Sequence, residues 1–311
     1  MKRDRRILIT GMIVCAVLLS AIVLKKRYNS SSDVIGKILG NSDVFCVEEL
    51  FPVAEKPEET FANQGFAVYG DILFQLYNDN KAVLSDLRDH SVIAQLDITS
   101  LHGDTIDFSD EFIHEEDEFP LAYITADTNP AKVFAVRIDR SSTELIRTYS
   151  FDEIEETGYY AGHCLDAENH ILYMVGYLQE NYYDPTGNSM IVSVWDLDHC
   201  TENEDGSFRP ELTGSFRIPF IITVQGQRYY EGKLYLLSSH TGSHEIGIDT
   251  RIYVVDPKTE KVERIYDQFP ENIKRTECEG IEFVNDGNAM RMIISTYNAS
   301  GGKYYEIKPQ S

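Results

Sequence analysis

The chain has 311 residues, 42% of them hydrophobic and 25% charged, with 51 Asp and Glu against 28 Lys and Arg and a net charge of −23. That length can bury a large core. So acidic a surface repels phosphate backbones and anionic lipid heads, which excludes nucleic acid as a partner.

The first 27 residues read as a separate object. MKRDRR carries four basic residues, Ile7 to Leu24 run eighteen residues without a charge, and Lys25, Lys26 and Arg27 follow. Eighteen residues of helix span about 27 Å, close to the hydrocarbon thickness of a bilayer. The run ends directly in KKR with no A-x-A-like exit, so it reads as an uncleaved transmembrane signal-anchor rather than a cleaved signal peptide or a core helix. A lipoprotein box does not fit, because Cys15 follows Val14. A short basic tail before a long remainder puts the tail inside and the domain outside: a single-pass protein of the cell membrane with an extracytoplasmic domain. Residues 28–42 read as a linker that opens on the polar stretch YNSSSD. Residues 1–27 hold seven basic residues and one acidic one; the rest carries 21 Lys and Arg against 50 Asp and Glu, a net charge of −29.

Residues 43–311 read as one domain of short strands separated by turn residues. Five segments begin alike, with a polar residue beside glycine, a short apolar strand and a second strand rich in aliphatics and tyrosine. They start at Gln64-Gly65, His102-Gly103, Gly162-His163, Gln225-Gly226 and Glu279-Gly280. Such repetition predicts radial or linear stacking of one unit.

In chain order, the first unit predicts strands over 66–70, 72–77, 82–86 and 92–98. The second predicts 105–108, 121–126, 133–138 and 144–150. The third predicts 162–167, 171–177, 190–197 and 214–219. The fourth predicts 223–230, 233–238, 251–255 and 262–267. The fifth has only three, 280–284, 290–296 and 303–307, and one unassigned strand-like piece, DVFCVE, lies at 43–48. A ring must complete its last sheet, since an open edge is a pairing hazard. The count therefore predicts an all-β, β-propeller fold of four-stranded blades, closed by the N-terminal strand. Glycine-to-glycine spacings of 38, 59, 64 and 54 residues exceed a minimal blade after the first, so loops are expected at 109–118, 179–188, 200–211 and 240–249. Five blades fit best; a sixth short blade within 109–160 or 178–222 is the alternative.

The segments LHGDTIDFS and DEFPLAYITAD, with the pattern QG-x-x-x-Y-x-G-x-L-Y at 225–235, resemble the repeats of bacterial exported and membrane-anchored β-propeller proteins. The resemblance covers about residues 60–311. It implies a secreted or surface-anchored propeller and carries over no catalytic residue.

In a propeller the first strand of each blade lines the axis, and the loops entering those strands form one face. Gln64, His102, His163, Gln225 and Glu279 would then ring one mouth as ligand-binding residues, although a residue–Gly pair at a blade start also fits a purely structural role. Polysaccharide, small molecule and protein are all candidate ligands. His102, His163 and Glu279 are candidate ligands for a divalent cation such as calcium, but the carboxylates are few for an ion that takes six to eight oxygens. Asp104, Asp107 and Glu282 would add oxygens if they point inward. Glu279 and Asp104 are the candidate catalytic pair for glycosidase-like chemistry; a metal-dependent lactonase-like site is the other enzymatic alternative. No G-x-S-x-G, HExxH or P-loop occurs. The leading reading is a binding or scaffolding module, the alternative a hydrolase or lyase.

The remaining signals are weaker. His240 and His244 lie four apart in a Gly/Ser-rich stretch, Tyr182-Tyr183 and Tyr229-Tyr230 are candidate exposed aromatic contacts, and Trp195 alternates with valines as a core residue would. Cys46, Cys164, Cys200 and Cys278 form no CxxC pair, and fit either two disulfides or four buried thiols.

Overall fold

A computed structural model describes residues 33–39, 44–53, 63–78, 80–98, 103–126, 131–151, 159–177, 189–219, 223–245, 247–285, 287, 289–297 and 302–309. The expected anchor lies outside these residues. Among the described residues, no helix is long and apolar enough to cross a membrane.

The fold is all-β and propeller-like. Strands β2 (Asn63–Tyr69), β3 (Ile72–Tyr77), β4 (Lys81–Asp86) and β5 (Val92–Asp97) form one antiparallel sheet in sequence order. A second such sheet holds β14 (Val224–Tyr230), β15 (Lys233–Ser238), β16 (Arg251–Asp256) and β17 (Lys261–Tyr266). Between them in sequence lie β6 (Gly103–Phe108), β7 (Ala122–Ala126), β8 (Lys132–Ile138) and β9 (Thr143–Ser150), then β10 (Tyr159–Asp166), β11 (Ile171–Tyr177), β12 (Ser189–Glu202) and β13 (Phe208–Pro219). These two meanders share one eight-stranded sheet, joined at their outer strands by a single parallel pairing, Phe208 with Tyr149.

The last sheet contains β18 (Glu277–Asn285), β19 (Met290–Tyr297) and β20 (Lys303–Pro309), and its fourth strand is β1 (Phe45–Pro52) from the N-terminus. β1 lies antiparallel to β20, Val47 opposite Ile307, so the two ends of the domain close one sheet. The inner strands pack in a ring, β2 on β6, β6 on β10, β10 on β14, β14 on β18 and β18 on β2.

Each neighbouring pair of these four-strand units buries its own apolar cluster, because adjacent sheets pack face to face. The joint between the β18 and β2 units contains Phe51, Phe66, Leu73, Ile293 and Tyr304. Trp195 is buried in the joint between the β6 and β10 units and donates its indole N–H to Ser193 Oγ at 2.8 Å, which makes it a core residue. Tyr229 and Tyr230 do not stand free. Tyr229 stacks on Tyr173 at 5.6 Å, and Tyr230 packs on Phe283 at 5.2 Å, both between units. Tyr182 and Tyr183 lie outside the described residues.

Three local features differ from the sequence reading. The polar stretch 200–211, expected as a loop, is mostly strand: β12 and β13 run on as a long hairpin closed by Asn203 and Ser207, whose backbones hydrogen-bond at 2.7 Å. Within 240–249 a short helix, α2 (Thr241–Glu245), follows His240. The segment read as linker contains α1 (Val34–Leu39), with Val34, Ile35 and Leu39 buried against Phe45, Tyr235 and Tyr266. Asp33 accepts from Tyr266 Oη at 2.9 Å, and Val34 N–H donates to Tyr235 Oη at 2.9 Å. The four cysteines are unpaired thiols; Cys164 and Cys278 are buried, Cys46 is exposed and Cys200 lies between.

Candidate functional site

The glycine in the repeated residue–Gly pair lets inner strands approach one another. A methyl group at Gly226 would lie 2.9 Å from Gly280 Cα on the neighbouring strand, and one at Gly280 would lie 2.6 Å from Phe66. At Gly65 it would collide with the Asp104 carbonyl. A Cβ would force the ring open.

Below this constriction the axis is filled by a side chain the sequence did not single out. Arg228 lies on β14, three residues past Gln225, about 10 Å further along a strand. Its guanidinium donates to the Ile106 carbonyl at 3.2 Å and the Phe66 carbonyl at 3.1 Å. It pairs with Glu282 at 2.6 Å and with Asp107. The carboxylates extend the network: Asp107 accepts from Leu165 N–H at 3.1 Å, and Glu282 from Val68 N–H at 3.2 Å. One cation and two anions thus tie β2, β6, β10, β14 and β18 together. Arg228 is 7% exposed, Asp107 2% and Glu282 6%. Burial pulls the guanidinium down from its ordinary value, with Glu282 opposing, and burial raises Glu282, with Arg228 opposing. A guanidinium nevertheless stays charged in a protein. Gln227 adds a second brace, donating to Thr105 Oγ1 at 2.8 Å and the Ala161 carbonyl at 3.1 Å.

Four of the five expected mouth residues lie among the described residues. Gln225 and Glu279 meet: Gln225 Nε2 lies 3.1 Å from Glu277 Oε1 and 3.5 Å from Glu279 Oε2. Glu279 is 4% exposed, and its carboxyl is held well above the usual range by burial, then by the charges of Glu277 and Asp104. Asp104 is therefore near the Glu279 carboxyl. Glu277 also accepts from Thr241 Oγ1 at 2.7 Å and faces His240 Nε2 at 3.3 Å. Gln64 is half-buried at the start of β2, where its carbonyl accepts from Gln75 Nε2 at 2.6 Å.

His163 stands apart. It follows its glycine where the others precede theirs, so it lies two positions past the β-bulge that holds Gln225 and Glu279 on their strands and Ala161 on its own. It is fully buried, hydrogen-bonded through Nδ1 to Thr125, with Nε2 3.5 Å from Asp107. Burial pushes its pKa down to about 3, so it is neutral. His102 lies outside the described residues. Among the described residues, no three His, Cys, Asp or Glu side chains gather as metal ligands.

Arg228 and Glu277 are the parts that sequence reasoning missed, and His240 entered it only through its spacing from His244. Glu277 carried a readable signal, since it lies two residues before Glu279 and strand periodicity puts both on one side. Arg228 carried none. Together the mouth presents a buried carboxyl with a raised pKa, two further carboxylates, an amide and an imidazole above the Arg228 cluster. Such a set can exchange hydrogen bonds with a polar molecule.

No family model matches the chain, and no curated protein matches it. Among solved structures it is similar to glutaminyl cyclase of Myxococcus xanthus, at 12% identity and a TM-score of 0.55, over 85% of this chain and 96% of that one. It is also similar to a protein of Thermus thermophilus described as an oxidoreductase (glucose dehydrogenase), at 11% identity and a TM-score of 0.47, over 85% of this chain and 99% of that one. At 12% identity the likeness to the first is one of fold.

Proposed function

We propose that this protein is an extracytoplasmic propeller of five four-stranded blades, anchored by its N-terminal helix, that binds a polar, hydroxyl-rich ligand at the mouth around Glu279. The observation that carries this reading is Glu279 itself. Its buried carboxyl lies 3.5 Å from Gln225 Nε2 and beside two further acidic residues. A buried polar group so placed costs stability, and binding a ligand that hydrogen-bonds it recovers the loss. The Arg228 hub closes the axis beneath, so the mouth is a cup rather than a passage. Only residues 28–32 separate the proposed anchor from Asp33, at most about 18 Å of extended chain. The domain is therefore proposed to begin at Asp33 and to stay close to the membrane.

A second reading rests on the same residue. A buried carboxyl whose pKa is raised suits general acid catalysis, with Asp104 as its partner in a hydrolase or lyase.

A thermal-shift panel of oligosaccharides and small polyols on the full chain in detergent tests both readings. A ligand at a hundred times its Kd adds about 2.7 kcal/mol. Binding supported by Gln225 and Glu279 predicts a shift that Gln225→Ala removes. If Glu279→Gln keeps the shift but abolishes turnover of the same compounds, the enzymatic reading holds. No shift with any compound, or a shift indifferent to both substitutions, overturns the mouth as the site.

Glu279 also has a pH signature. Its folded-state pKa is raised above 4.5, so the unfolded chain releases this proton first and stability falls as pH rises beyond 4.5. Glu279→Gln should raise Tm at neutral pH and leave it unchanged below pH 4.5, in a scan of Tm against pH for both proteins.

A further inference from the structure

A cleft of about 260 Å³ opens between the β6 and β10 units, lined by the segment after β6 and the turn between β10 and β11. It lies at the exit ends of those strands, away from the mouth at their entry ends. Its inner wall is aromatic: Tyr123 and Tyr149 are stacked at 5.8 Å and 15° and buried. Its rim is charged. Arg147 is already engaged by Glu111 through two contacts of 3.0 Å. His170 lies between two carboxylates, Nδ1 2.7 Å from Asp198 and Nε2 3.4 Å from Asp110. Both basic groups are spoken for, and the carboxylates outnumber them.

We propose that this cleft binds a compact organic ammonium ion, its charge taken by Asp110 and Asp198 and its body seated against Tyr123 and Tyr149. Carboxylates at the rim attract an ammonium charge, and a wall of Tyr123, Tyr149, Leu165 and Leu197 accommodates its alkyl groups. The cleft is small, near the lower end for ligand pockets, which limits the ligand to a few heavy atoms. Anions are disfavoured by the rim and by the net charge of −29 outside residues 1–27. A metal ion lacks a three-ligand set among the described residues.

The ligand competes with protonated His170 for the same two carboxylates. The charged groups around that imidazole are Asp198 on β12, Asp110 after β6, and the Glu111–Arg147 pair across the cleft. Asp198 and then Asp110 hold His170 above its ordinary value of 6.5, so its cationic form persists to higher pH than a free imidazole's. As pH rises the imidazolium gives up its charge and the ammonium ion should bind more tightly.

Tetramethylammonium, whose charge does not titrate, is the probe, with tert-butanol and acetate as neutral and anionic counterparts. Each is titrated calorimetrically into the full chain in detergent at about pH 6 and about pH 8. The expected result is saturable binding of tetramethylammonium alone, tighter at the higher pH, and weakened roughly tenfold or more by Asp198→Asn or Asp110→Asn. His170→Asn should remove the pH dependence while keeping the turn, because His170 has φ 50° and asparagine tolerates that region. Equal binding of tert-butanol, absence of saturation, or an affinity that neither Asp substitution moves would overturn the assignment.

Discussion

At the residue scale, the centre of this protein is held by charge. Arg228 contacts three other inner strands, β2, β6 and β18, and its carboxylate partners accept from three backbone N–H groups. Removing one partner of a buried ion cluster is costly because the others remain desolvated. Arg228→Met should therefore lower stability by about 3–5 kcal/mol, read from urea unfolding. A change below about 1 kcal/mol would mean that the hub is dispensable. His163 shows why the composition of the repeat was only partly informative. The sequence placed an imidazole near the axis, but it lies two residues past the bulged position, where it is buried against Thr125 and Asp107 instead of opening to the mouth.

At the element scale, closure depends on β1. The missing fourth strand of the last unit was legible as arithmetic, three strands at the C-terminus and one at the N-terminus, and β1 does pair with β20. What was not legible is how far the N-terminal segment also clamps its neighbours. Phe45 packs on Phe269 at 4.4 Å and on Tyr266 at 5.8 Å, and α1 wedges into the same cluster. Phe45→Ala should cost about 3–5 kcal/mol, since a large buried ring is lost and the site can collapse only partly. The same unfolding measurement checks it, and an unchanged midpoint would separate β1 from the stability of the ring. The long β12–β13 hairpin was misread because polar residues and Asp-Gly signalled a loop. Two strands that reach beyond the sheet can be polar, having little core to face, and their tip bridges to β9 at Tyr149.

At the scale of the whole molecule, net charge opposes compaction. Outside residues 1–27 the chain carries −29, and like charges repel most strongly when folded. Raising sodium chloride from about 10 mM to about 150 mM shortens the screening length from roughly 30 Å to 8 Å. Tm should rise over that range, and equally for sodium and potassium. A Tm that falls or stays flat would show that local ion pairs outweigh the global repulsion.

Hydrophobic alternation, turn residues and the repeated glycines determined by themselves that this chain is all-β, built from like units and closed by its own N-terminus. Those features are local or periodic, and backbone geometry makes them readable in one dimension. Only the tertiary structure decided which polar side chains meet. Arg228 on β14 is 121 residues from Asp107 and 54 from Glu282 along the chain, yet it pairs with both. The mouth likewise joins Gln225 to Glu277 and Glu279 across a strand boundary. Contacts between distant strands depend on the angle at which neighbouring sheets pack and on the phase of each side chain, and a β-bulge such as those at Gln225 and Glu279 resets that phase.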